Sequence, residues 1–214
     1  MIFHGKRTSN EIALTFDDGP CAHTAEILKI LGKYKIKATF FLIGQNVEKL
    51  PHVARKIIRQ GHEIGMHTYS HQDLPESLFT ANESEITKTE KTIKSMLHKE
   101  TKLFRPTKGL AMKLLWSWRI WRAVKEKNLK VILASAYSRA SRSAERQFSD
   151  ITKNLRGGDI ILLHDGDGTH VESGRWYEKT VKILPGIIKC AKSRNLKFVT
   201  VSELLGQKAR QKHI

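Results

Sequence analysis

Short apolar runs and amphipathic stretches alternate along this chain about seven times, and few architectures accept that order. Residues 11–16, 38–43, 62–66, 103–105, 131–136, 160–163 and 198–201 read as strands. Between them, residues 24–34, 47–60, 83–98, 112–127, 144–155 and 180–193 carry apolar side chains at helical spacing. The run Ile160-Ile161-Leu162-Leu163 is apolar on both faces, as a strand inside a parallel sheet requires. Strand–helix units repeated in this way predict a distorted (β/α)7-8 barrel of the α/β class. It should form a single domain over residues 1–206, with residues 207–214 as a basic tail that frays. Trp116, Trp118 and Trp121 fall in one helical stretch and read mostly as core rather than as a sugar-stacking face.

Composition narrows the partners. Lysine and arginine total 38 against 21 aspartates and glutamates, a net charge of +17. Such an excess favours an anionic partner, either an acidic glycan or a membrane surface, with solubility as the plain alternative. The basic residues are scattered rather than arranged in a stripe, which argues against nucleic acid. Cys21 and Cys190 are too few for a disulfide framework or a cysteine-based zinc site. Cys21 reads as a small buried hydrophobe. No segment is long and apolar enough to span a bilayer, and the opening residues lack the apolar core of a signal peptide. The expectation is a cytoplasmic protein, free or peripheral at the membrane, exported only if a signal segment lies outside this chain.

The chemistry-bearing residues fall where strands end. Asp17 and Asp18 close the first strand, His67 and His71 follow the third, Arg105 ends the fourth, and His164 and Asp165 end the sixth. In a barrel of parallel strands those positions share one rim. A carboxylate and two imidazoles suit a divalent metal with open coordination positions, and zinc suits that donor set best. The spare carboxylate next door can act as a base toward a water held there. A helical turn between His67 and His71 would aim both rings at one point.

Thr15–Pro20, Ala38-Thr39-Phe40-Phe41, Gly61–Gly65, His67–His71, Phe104-Arg105-Pro106 and Leu162–Asp165 together resemble the polysaccharide deacetylases with a NodB homology domain, carbohydrate esterase family 4. The likeness covers nearly the whole chain in the family's order. It implies a metal-dependent hydrolase that removes N-acetyl groups from N-acetylglucosamine-type sugars. By resemblance Asp17 is the catalytic base, and Asp18, His67 and His71 hold the metal. Arg105 pairs with the base, and His164 protonates the leaving amine. Lys108 stands where relatives carry a tyrosine whose backbone N–H binds the oxyanion, a donor that survives a change of side chain.

The fourth motif departs from the family. Relatives show Trp-Ser-x-Asp-x-x-Asp-Trp, whereas residues 134–141 read Ala-Ser-Ala-Tyr-Ser-Arg-Ala-Ser. Ala140 takes the place of the acid beside the general-acid histidine, and Asp165, Asp167 or Glu172 are the substitutes at hand. The glycine-rich residues 166–174 read as a flexible loop beside the rim. Two other functions fit the residues: a same-fold amidohydrolase acting on a small non-sugar amide, and a basic glycan- or membrane-surface binder without turnover.

Overall fold

The computed structural model describes residues 1–71, 79–107, 118–173 and 175–207. Seven parallel strands run β1 (Glu11–Gly19), β2 (Thr39–Leu42), β3 (Glu63–Met66), β4 (Leu103–Phe104), β5 (Lys130–Val131), β6 (Ile160–His164) and β7 (Lys197–Val199). They order as β5-β4-β3-β2-β1-β6, and β7 pairs with the first three residues of β1. The sheet curls until its edges meet. A bridge joins Ala136, beyond β5, to Ile161 of β6, and the amide of Leu162 donates to the Ala136 carbonyl at 3.0 Å. The expected distorted barrel is therefore present, with its seam at the segment after β5.

The described helices are α1 (Thr24–Tyr34), α2 (Gly44–Lys49), α3 (Pro51–Arg59), α4 (Phe79–Leu97), α5 (Trp118–Glu126), α6 (Ala144–Thr152), α7 (Arg175–Ser193) and α8 (Val201–Leu204). The expected single helix over 47–60 is two, because Pro51 cannot donate a helical hydrogen bond and starts a new helix at its N1 position. The final strand ends two residues early. Thr200 instead caps α8 in a reciprocal capping box with Glu203, worth about 1 kcal/mol. No helix among the described residues is long and apolar enough to cross a membrane.

Period-two alternation sorts the side chains into two apolar clusters. Ile12, Leu14 and Phe16 of β1 face the helices, together with Phe40, Leu42, Ile161 and Leu163. The alternate residues point inward, where Ala13, Phe41, Leu103, Ile132 and Ile160 meet Val201 and Leu204 of α8 as the barrel floor. Above that floor the inward residues turn polar. Thr15 and then Asp17 follow Ala13, and His164 is in register with Asp17 across the β1–β6 pair. A dry floor beneath a polar rim places the chemistry at the C-terminal ends of the strands.

Candidate metal and catalytic site

Strict alternation would send Asp17 and Asp18 to opposite faces of β1. A bulge prevents this. Asp17 pairs with Phe41 and Gly19 with Leu42, so Asp18 is the extra residue, at φ 73°. Bulges re-aim side chains in this way, and aspartate tolerates the left-handed region better than most residues. Both carboxylates thus reach the rim, and both are buried.

Asp18 Oδ1 lies 3.4 Å from His67 Nε2 and 3.0 Å from His71 Nε2. The ligand atoms of all three residues fall within 4.8 Å of one another. His67 continues from β3, and its Nδ1 lies 2.8 Å from the carbonyl oxygen of Arg105. A carbonyl only accepts, so Nδ1 carries the proton and the neutral ring turns the lone pair of Nε2 toward Asp18. Asp18 Oδ1 is itself a buried oxygen without a hydrogen-bond donor. Lone pairs facing one another in a buried place are the donor set a divalent cation fits. His71 is 32% exposed, which leaves that side of the group open to solvent.

The His67–His71 segment is not the helical turn expected from its spacing. Thr68 and His71 take φ values of 62° and 55°, left-handed conformations that cost about 1–3 kcal/mol each for such residues. The rings meet at 5.3 Å between centroids through this loop.

Arg105 directly follows β4 and is fully buried. Its guanidinium lies 4.1 Å above the Phe41 ring. It donates to Asp17 Oδ1 and Thr15 Oγ1 at 2.7 Å each, and to the carbonyls of Ile132 and Leu133 at 3.2 Å. Asp17 is therefore gripped from one side while its other oxygen stands 4.0 Å from His67 Nε2. Removing one member of such a pair strands a buried charge, at about 3–5 kcal/mol.

His164 joins Asp17 by register at the rim. None of the three substitute acids bonds its ring. Asp165, next in the strand, points away, accepts from Thr24 Oγ1 at 2.7 Å, and is pushed up to about 8 by burial and then by the charges of Asp18 and Asp17. Asp167 accepts from Ser173 at 2.6 Å, and Glu172 is exposed. The altered fourth segment is held elsewhere. Ser138 donates to Asp150, and the main-chain oxygens of Ala140 and Arg142 accept from Gln147 and from Lys179. Among the described residues, no carboxylate is bonded to the His164 ring.

The glycine-rich loop is tied down rather than free. Asn46 Nδ2 donates at 2.9 Å to the main-chain oxygens of both Asp18 and Gly168, and the Ala22 amide donates to Val171. A Cβ on Gly166 would stand 2.5 Å from the Asp18 oxygen, so only glycine allows this approach. Cys21 is buried below the site, its thiol donating to the Asp165 carbonyl, in keeping with its reading as a packed small side chain. Lys108, Trp116 and the side chain of Trp118 lie outside the described residues, and Trp121 is 37% exposed. Sequence reasoning missed Thr15 and Asn46, whose partners Arg105 and Gly168 are distant in the chain, where no local pattern records them.

The family model described as polysaccharide deacetylase matches residues 4–132. A peptidoglycan-N-acetylglucosamine deacetylase of Bacillus cereus is 35% identical over 202 residues, covering 92% of this chain and 89% of that protein. A bifunctional xylanase/deacetylase of Pseudobutyrivibrio xylanivorans is 34% identical over 95% of this chain, which spans 32% of that larger protein. Among solved structures, the Bc1960 peptidoglycan N-acetylglucosamine deacetylase superposes with a TM-score of 0.83 at 30% identity, covering 97% of this chain and 93% of that one.

Proposed function

The chain belongs to the polysaccharide deacetylase family, and from that premise we propose that it hydrolyses the N-acetyl group of N-acetylglucosamine-type sugars in a glycan, oligosaccharide or lipid-linked saccharide. The observation that carries this reading is the convergence of Asp18, His67 and His71 beside an Asp17 held by Arg105. Asp18, His67 and His71 would hold one divalent ion, zinc by the match of one carboxylate and two imidazoles. When bound, that ion would supply Lewis acidity toward the amide carbonyl and acidity to a water.

The protein's own groups do the rest. Asp17 takes the proton of the attacking water, with Arg105 fixing which of its oxygens is available. By the family resemblance, the backbone N–H at Lys108 would be the donor to the oxygen that gains charge. His164, beside Asp17 on the neighbouring strand, gives its proton to the departing amine. Acetate and a free amino sugar result.

A second reading, an amidohydrolase acting on a small non-sugar amide, draws on the fourth segment, which lacks both tryptophans and both acids of relatives. Acetate release from N-acetylated oligosaccharides and peptidoglycan fragments, set against ring opening of small cyclic amides, separates the two. Activity should vanish with a chelator and return with zinc. Turnover of cyclic amides alone would reject the sugar reading. Tight sugar binding without acetate release would favour a binding protein.

A further inference from the structure

The loop between the two histidines is held by hydrogen bonds from two sides. The carbonyls of Thr68 and Tyr69 accept from the amides of Gly44 and Gln45 in the first turn of α2, each at 3.0 Å. The amides of Tyr69 and Ser70 both donate to one oxygen of Glu85 on α4, at 2.9 and 2.7 Å, and the Ser70 hydroxyl donates to its other oxygen at 3.1 Å. One carboxylate, sixteen residues from Tyr69 in the chain, thus collects three donors of the loop.

This matters because the loop is bent against its own preference. Thr68 and His71 both lie in the left-handed region, and it is this bend that turns the His71 ring back to within 3.0 Å of Asp18. Backbone amides inside such a bend have no helix or strand partner, and one side-chain oxygen of Glu85 supplies the acceptor for two of them. We propose that Glu85 is a positioning residue for the metal site, acting through the Tyr69 and Ser70 amides to hold His71 where it can share an ion with Asp18 and His67. This rests on the reading that those three residues bind a divalent cation.

The test is zinc affinity of the full chain, stripped of metal and titrated in competition with a chromophoric chelator, alongside the melting temperature of the metal-free protein. Glu85→Ala should bind zinc about 10–100-fold more weakly, the range of outer-shell changes at metal sites. Glu85→Asp, a methylene shorter, should also weaken binding. Glu85→Gln should stay within about threefold of wild type, because its carbonyl oxygen can still accept from both amides. Metal-free melting temperatures of the Asp and Gln variants should match. If Glu85→Ala does not fold, Glu85→Asp decides. Wild-type affinity in the Ala or Asp variant would overturn the role of Glu85 alone. So would an affinity loss that tracks a fall in metal-free melting temperature. A wild-type chain that takes up no ion would overturn the site itself, and this inference with it.

Discussion

The Nδ1–H of His67 is committed to the main-chain oxygen of Arg105, 2.8 Å away, while the guanidinium of that same arginine holds Asp17 at 2.7 Å. One residue therefore orients the His67 imidazole with its backbone and the Asp17 carboxylate with its side chain. His67 and Asp17, which lie on different strands of the sheet, are thereby tied to one buried side chain and its backbone.

His71→Ala should abolish tight binding of one divalent ion and with it the activity. His71 contributes one of three donor atoms that lie within 4.8 Å of each other, and two remaining ligands leave the ion weakly held. Elemental analysis of the purified variant checks this, and full metal occupancy would refute it.

Asp17→Asn should keep the ion and lose at least ~100-fold in turnover, the scale of general-base catalysis. The amide oxygen can still accept from Arg105, so the site keeps its shape while the proton acceptor is gone. Near-normal turnover in the metal-loaded variant would reject Asp17 as base.

Asp165 makes metal-free stability pH-dependent. Its carboxyl sits at about 8 in the fold against an ordinary 3.8, with burial as the first cause. Between those values the folded protein keeps a proton that the unfolded chain has released. The unfolded state binds fewer protons, so this contribution to stability falls as pH rises from about 4 to 8. Asp165→Asn has no such proton to lose. Its melting temperature relative to wild type should rise steadily between pH 5 and pH 8 in chelator. Parallel curves for the two proteins would refute the assignment.

Ala140→Asp should extend activity toward higher pH, provided the new carboxylate reaches the His164 ring. A carboxylate beside an imidazole favours the protonated ring, and a general acid works only while protonated. The basic limb of the pH–rate profile would then move upward. An unchanged limb in a variant whose structure shows the new carboxylate bonded to His164 would contradict this.

The net charge of +17 should act on anionic substrates. Their KM should rise with salt, since screening shortens from about 10 Å at 0.1 M to 3 Å at 1 M, while neutral oligosaccharides change little. Equal salt responses for both would leave the charge as a solubility feature.

Much of this molecule was legible in one dimension. Alternating apolar periods are a direct consequence of helix and strand geometry, so the βα order and the barrel followed from them. Asp17, Asp18, His67, His71, Arg105 and His164 were legible because parallel strands place their C-terminal ends on one rim, whatever the intervening loops do. What sequence alone could not decide was aim. Neighbouring residues in a strand point to opposite faces, and only the bulge at Asp18 lets both carboxylates serve one site. The four-residue spacing of His67 and His71 was readable, but a helical turn was the wrong route between them. The real loop is held by Glu85 and by the amides of Gly44 and Gln45, contacts that exist only once α2 and α4 have packed around it. The acid lost from the fourth motif could be seen as missing, yet that Asp165, Asp167 and Glu172 all turn elsewhere depends on backbone direction. Periodicity is a local property and survives in the sequence; orientation and hydrogen-bond partners are set by residues far apart in the chain, and only folding brings those together.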